Sequence, residues 1–155
     1  MENYLKIIKY GKDILNSDGM NSEKRFIQHG RISCYEHSVN VALTSLSLAK
    51  RFSLNVNESA LVRGALLHDY FLYDWHKKGH NLHGFFHAAR ALNNAEKDFC
   101  LNDIERDIIR RHMFPLNICP PKYRESYIVC LADKLCAVYE FFESHKILKF
   151  GGNKI

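Results

Sequence analysis

The chain has few of the features that mark disulfide-rich, exported or membrane-spanning proteins. Its five cysteines are an odd number without a Cys-x-x-Cys spacing, which predicts reduced thiols in a cytoplasmic protein. No run approaches the roughly 18 uninterrupted apolar residues of a membrane span. Charged residues interrupt the apolar positions of segment 1–13, which argues against an export signal. The sequence therefore predicts a protein without a membrane partner.

Net charge and composition are those of an ordinary globular protein. The formal charge is +5 at pH 7, with 46% apolar and 25% charged residues. The lysines are spread along the chain, and only segment 146–155 is locally basic, which argues against a nucleic-acid partner. A chain of 155 residues without a repeat, linker or low-complexity tract predicts a single domain over residues 1–155.

Apolar residues recur at helical spacing in almost every segment, so the sequence predicts an all-α fold, a compact helical bundle. Helices are predicted over residues 3–16, 23–29, 37–52, 85–99 and 122–144. Two more are predicted to begin at the capping residues Asn57 and Asn102. The first of these carries His68 and Asp69 near its carboxyl end, and the second carries His112.

The adjacent pair His68 and Asp69 is the first candidate for chemistry. Leu61, Ala65, His68 and Leu72 fall on one helical stripe, so the imidazole is predicted to face the interior. An imidazole and a carboxylate on an apolar helix are poor core residues and good metal ligands. The pair indicates a metal site more strongly if other His and Asp residues also lie on inward helix faces.

Such residues occur on apolar helix faces in four other segments: His37, His87, His112 and Asp133. His83, four residues before His87, is an alternative ligand. A single histidine on an apolar face is more often a hydrogen-bonded core residue. Asp is almost never buried unpaired, and Lys134 lies about 100° round the helix from Asp133. A metal site would satisfy all of these groups together, and the joint pattern favours it.

The order His37, His68-Asp69, His87, His112, Asp133 resembles the H…HD…H…H…D signature of the HD-domain superfamily, whose members are largely metal-dependent phosphohydrolases. The resemblance spans about residues 37–140, with the ligand-bearing region at about 30–145. It implies the all-α HD fold. It also implies six metal ligands: His37, His68, Asp69, His87, His112 and Asp133.

For such a site we expect one or two divalent ions per chain, chosen from Fe, Mn, Co, Ni and Zn. With two ions, Asp69 would bridge them and so act in catalysis. His37, His68 and Asp133 would complete the ligands of the first ion, and His87 with His112 those of the second. A metal-bound hydroxide would attack a small phosphorylated substrate, such as a nucleotide or another phosphate ester.

Asp74 is the candidate general acid, because its position resembles that of an acid in small nucleotidase members. Leu72 stands where some signalling members have the lysine of HDxxK, which argues against cyclic-dinucleotide cleavage. Phosphate contacts are predicted at basic residues near the site: Lys77, Lys78, Arg110 and Arg111. The aromatic residues of segment 70–75 form either a base-stacking wall or part of the core.

Two other functions remain open. The first is a di-iron oxygenase, because a few dinuclear members of the superfamily activate dioxygen. The second is a sensor that binds a nucleotide without turning it over, although six matched ligands argue against a degenerate module. Oligomeric state is also open, because an apolar stripe buried in a partner looks the same as one buried in the chain's own core.

Overall fold

The computed structural model describes the backbone of residues 1–74 and 83–150, and the side chains of these residues except 29, 83–85 and 144–150. The all-α prediction is confirmed. The described helices are α1 (Glu2–Leu15), α2 (Asp18–Ser22), α3 (Cys34–Arg51), α4 (Glu58–Leu67), α5 (His83–Asp98), α6 (Asp103–Arg111) and α7 (Arg124–Phe150). None of them combines the length and the apolar character that crossing a membrane requires.

The helix predicted over residues 23–29 is wrong. Glu23–Arg25 is a single 3₁₀ turn, and the chain then forms an antiparallel hairpin of β1 (Ile27–His29) and β2 (Ile32–Ser33). Gly30 has a φ of 60° in the turn between these strands, a conformation that glycine adopts without steric cost. A segment this short has too few apolar positions to distinguish a helical period from a strand period.

Helix α4 is the centre of the bundle. It packs against α1, α3, α6 and α7, and Leu61, Val62, Leu66 and Leu67 are completely buried. One hydrophobic core includes residues of all seven helices. Because α4 is covered on every side, whatever stands at its carboxyl end is held in the interior of the bundle.

Side-chain caps fix where α3, α4 and α6 begin. Asn57 accepts a hydrogen bond from a backbone amide in the first turn of α4, as predicted. Asn102 and Glu105 form the predicted reciprocal capping box of α6. Ser33 and Glu36 form another at the start of α3. Each cap satisfies amides that the helix itself leaves without partners, so the registers of α3, α4 and α6 are set locally.

Two of the predicted ligands stand at helix ends. Helix α4 stops at Leu67, so His68 is its carboxyl cap and Asp69 follows the helix. His112 is likewise the carboxyl cap of α6. The expectation that Asp69 lies within the helix is therefore corrected. Leaving the helix frees the direction of the Asp69 carboxylate from the helical period.

The contact between α4 and α6 predicts the effect of adding one methyl group at Gly64. A Cβ there would lie 2.9 Å from Cβ and 3.0 Å from Cγ2 of Ile108. We expect Gly64→Ala to lower the free energy of unfolding by about 1–3 kcal/mol through overpacking, measured by urea denaturation. Helix propensity alone would stabilise the variant by up to about 1 kcal/mol, so a stabilised variant would contradict this packing.

Candidate metal centre

Six side chains from five helices or their ends meet in the interior of the bundle. Helices α3, α5 and α7 supply His37, His87 and Asp133, respectively. The carboxyl end of α4 supplies His68 and Asp69, and the carboxyl end of α6 supplies His112. The four imidazoles and Asp69 are at most 4% exposed, and the side chain of Asp133 is 13% exposed. The fold therefore brings all six predicted ligands together.

One half of the cluster surrounds Asp133 and one oxygen of Asp69. Asp133 Oδ1 lies 3.1 Å from His37 Nε2 and 3.7 Å from His68 Nε2. Asp69 Oδ2 lies 3.4 Å from the same His68 nitrogen. His37, His68 and Asp69 present ligand atoms that all lie within 4.8 Å of one another.

The other half surrounds the second oxygen of Asp69. Asp69 Oδ1 lies 3.3 Å from His87 Nε2 and 3.4 Å from His112 Nε2, and these two nitrogens are 2.9 Å apart. The two carboxylate oxygens of Asp69 thus face different groups of imidazoles. This division is the one expected of a carboxylate shared between two ions.

Three imidazole rings, those of His68, His112 and His37, make hydrogen bonds on the side away from the cluster, and these bonds fix which nitrogen faces it. His68 Nδ1 is 2.8 Å from the carbonyl oxygen of Ala65, and His112 Nδ1 is 2.9 Å from that of Ile109. Because a carbonyl oxygen only accepts, each Nδ1 carries the proton and donates it. In the neutral ring, Nε2 then presents its lone pair toward the cluster, as a metal ligand must.

His37 is held in the same way by a carboxylate. Its Nδ1 donates to Glu140 Oε2 at 2.9 Å, and Asn40 donates to the other oxygen of Glu140 at 3.1 Å. Glu140 is 5% exposed and lies seven residues after Asp133, two turns along α7. A carboxylate behind a ligating imidazole fixes the ring and strengthens it as a ligand.

Gln28 of the hairpin closes another side of the cluster. Its side-chain amide donates to Asp69 Oδ2 at 2.6 Å, and the thiol of Cys34 donates to Gln28 Oε1 at 3.3 Å. Since a thiol proton can only meet the oxygen of the amide, this contact orients the NH₂ group toward Asp69. The hairpin therefore helps to hold the direction of the Asp69 carboxylate.

The electrostatics of the cluster follow from the burial of carboxylates and imidazoles together. Burial raises the pKa of Asp69, but the imidazoles of His68, His112 and His87 outweigh it and hold the pKa well below its ordinary value. Burial lowers the pKa of His37, but hydrogen bonds to Asp133 and then Glu140 raise it to about 10. The buried carboxylates thus favour the charged form of His37, and the surrounding imidazoles favour the charged form of Asp69.

A further buried carboxyl group, that of Glu23, is 0% exposed. Neither of its oxygens makes a hydrogen bond of normal geometry among the described residues. Burial and then the negative charge of Asp69 raise the pKa of Glu23 well above its ordinary value. Burial beside Asp69 therefore disfavours the charged form of Glu23.

Two buried polar atoms without hydrogen bonds indicate that the cluster fits divalent ions. Within the described part of the chain, His68 Nε2 and Asp69 Oδ1 make no hydrogen bond, which is costly for buried polar atoms unless another partner binds them. Ligand atoms that share an ion at about 2.0–2.2 Å lie roughly 3 Å apart, close to the distances found here. The donor set, imidazole nitrogens with carboxylate oxygens, suits first-row divalent metals.

Residues 34–138, about two-thirds of the chain, match the model of the HD domain family. The chain belongs to the HD domain family. The matched region contains all six residues of the cluster, whereas Gln28 and Glu140 lie just outside it. Searches among curated proteins and among solved structures gave no match.

Membership in the HD domain family is consistent with a metal site at this cluster. HD domains form a superfamily of metal-dependent hydrolases, and the buried cluster of histidines and aspartates is compatible with an HD metal site.

Other predicted site residues have mixed outcomes. Asp74 is partly buried in the segment after α4, and its role as an acid stays a prediction. Tyr70 is completely buried and donates to Asp98, so it belongs to the core and cannot stack on a base. Arg111 donates to Asp107 and to the carbonyl of Pro120. Other candidates lie outside the part of the chain that the structure describes: Trp75, Lys77, Lys78 and the side chain of His83.

Two supporting residues, Gln28 and Glu140, were missed by sequence reasoning. The spacing of Glu140 from Asp133, seven residues on one helix, places both on one face and is a signal that could have found it. No comparable signal exists for Gln28, because it reaches Asp69 only through a hairpin that local sequence did not indicate.

The contact of Glu140 with His37 predicts weaker metal binding when its charge is removed. Glu140→Gln should bind Mn²⁺ about 10–100-fold more weakly, as is usual for partners of ligating histidines, measured by isothermal titration. Glu96→Gln is the matched control, because Glu96 is exposed and pairs with Arg106. Equal affinities in both variants and the parent protein would remove Glu140 from the site.

Proposed function

We propose that this protein is a metal-dependent phosphohydrolase that acts on a nucleotide or another small phosphate ester. The observation that carries the proposal is the divided environment of Asp69, with Oδ2 facing His68 and Oδ1 facing His87 and His112. A carboxylate shared between two sets of imidazoles could serve two ions at once, and ion pairs of this kind catalyse phosphate-ester hydrolysis.

In this proposal His37, His68 and Asp133 hold one divalent ion, His87 and His112 hold the other, and Asp69 serves both. Bound ions would acidify water and neutralise the oxygens of a phosphoryl group. Two divalent ions would carry four positive charges, whereas the carboxylates of Asp69, Asp133 and Glu140 carry three negative charges. The excess positive charge favours an anionic substrate.

The aromatic edge of the site supports a nucleotide-like substrate. Phe71 lies between the cluster and Tyr73, with ring centroids 6.1 Å from His87 and 5.0 Å from Tyr73. Tyr73 is partly exposed, and the exposed guanidinium of Arg90 lies 4.8 Å from its ring centroid. Tyr73 offers a face for a base, and Arg90 offers donors for phosphate oxygens.

We place the protein in the cytoplasm. The five cysteines, all within the described part of the chain, are unpaired, and free thiols persist in reducing compartments. The proposed partner is the phosphorylated small molecule itself.

A screen of nucleotides and small phosphate esters with Mn²⁺, Co²⁺, Ni²⁺ or Fe²⁺ tests the function by phosphate release. Asp69→Asn should lower turnover by roughly 100-fold or more, since it removes a negative ligand from both halves of the site. Asp103→Asn is the matched control, because that side chain is 86% exposed and should retain full activity.

Two results of the screen would contradict hydrolysis. Phosphate release that survives in Asp69→Asn would come from a contaminant. Dioxygen consumption by the iron-loaded protein, with no phosphate release from any ester, would favour the oxygenase alternative over the hydrolase.

The proposed role of Asp74 as proton donor gives a prediction that depends on the leaving group. Asp74→Asn should slow the hydrolysis of an alkyl phosphate by about 100-fold or more, because its leaving alkoxide needs a proton. p-Nitrophenyl phosphate should be hydrolysed nearly as fast as by the parent protein, because its leaving group is stable as an anion. Equal slowing of both substrates would assign Asp74 a structural role instead.

A further inference from the structure

Helix α7 exposes a stripe of large apolar side chains on the face opposite the metal cluster. Six of these side chains are between 48% and 66% exposed: Tyr127, Leu131, Leu135, Val138, Tyr139 and Phe142. We call this set the α7 stripe. Single exposed apolar residues are common on protein surfaces, but a contiguous set on one helix needs an explanation.

The spacing of the stripe places it on one side of the helix. Tyr127, Leu131, Leu135, Val138 and Phe142 follow one another at intervals of four, four, three and four residues, the spacing of a single helical face. They extend over about four turns, or roughly 22 Å. Tyr139 lies on the edge of this face.

The charges of α7 point the other way. Between residues 126 and 142, all of which are described, the charged residues are Asp133, Lys134 and Glu140. Asp133 and Glu140 bind His37, and Lys134 donates to the carbonyl oxygen of His112. An ordinary surface helix keeps charges on its solvent side, whereas Asp133 and Glu140 lie on the inner side of α7. Lys134 lies three residues after Leu131 and so on the stripe's side of the helix, but its ammonium group turns inward to the carbonyl oxygens of Cys130 and His112.

The area of the stripe matches that of one half of a protein interface. If a fully exposed side chain of this size presents about 150–250 Å², six that are about half exposed present on the order of 700 Å². Most monomers expose smaller apolar patches. A stable dimer buries roughly 800 Å² on each partner.

We propose that the α7 stripe is a dimer interface, which pairs with the same stripe of a second copy of this chain around a two-fold axis. A stripe without charges can meet its own copy in antiparallel orientation without bringing like charges together. A helix that lies in a membrane surface instead carries lysines and arginines on its polar face. On α7 that face is buried against the bundle and contributes to the metal cluster.

A groove beside the stripe gives the interface a place for a protruding side chain. It lies between α3 and α7, has a volume of about 310 Å³, and is lined in part by Leu43, Leu135 and Tyr139. Cys136 and Glu140 also line it, so the second copy would cover the outer side of the residue that holds His37. The dimer does not depend on the proposed reaction, because it is argued from α7 alone.

Sedimentation velocity of the purified chain tests the proposal. The chain should sediment as a dimer with twice its mass of 18.1 kDa at micromolar concentration. Leu135→Glu should raise the dimer dissociation constant by more than about 100-fold, because like charges would face each other at the interface. Ile118→Glu is the matched control, since Ile118 is 89% exposed in the loop before α7 and should leave the dimer intact.

A charge-swap experiment guards against a variant that fails to fold. Leu135 stands at the middle of the stripe, so in an antiparallel pair it meets its own counterpart. Leu135→Glu and Leu135→Lys should each be monomeric, with the parent's circular dichroism and Mn²⁺ affinity, and an equimolar mixture should dimerise. A monomeric parent chain, a dimer insensitive to Leu135→Glu, a mixture that stays monomeric, or assembly only on phosphatidylglycerol vesicles would each overturn the proposal.

Discussion

The buried carboxylate of Asp69 determines which groups must surround it. It is 2% exposed, and a buried carboxylate is costly unless opposite charge and hydrogen bonds surround it. The imidazoles around it and the side-chain amide of Gln28 supply part of that balance. Divalent ions would supply the rest, because they would also bind His68 Nε2 and Asp69 Oδ1, which make no hydrogen bond within the described residues.

The fold supplies the ligands chiefly through helix termini and one long helix. His68 and His112 cap the carboxyl ends of α4 and α6, and each ring is held by a carbonyl three residues earlier. Capping boxes at the amino ends of α3 and α6 set the registers that bring His37 and His112 inward. Helix α7 contributes Asp133 and Glu140 on its inner face.

Sequence reasoning recovered what depends on local periodicity. The inward faces of α3 and α5 and the caps at Asn57 and Asn102 follow from spacing within single helices, whereas the set of six ligands is what the resemblance to HD domains implies. The hairpin that positions Gln28 was missed, because the helical spacing of apolar residues carries no signal for the pairing of β1 with β2. Tyr70 was ambiguous for a similar reason: only tertiary packing decides whether an aromatic residue after α4 faces the core or a ligand.

Anomalous diffraction from crystals grown with Mn²⁺ would show whether Asp69 serves two ions. We expect two anomalous peaks, one on each side of the Asp69 carboxylate, with His68 and Asp133 near one and His87 and His112 near the other. A folded protein with no anomalous peak within about 3 Å of Asp69, well beyond the roughly 2.0–2.2 Å of a coordinate bond, would contradict it.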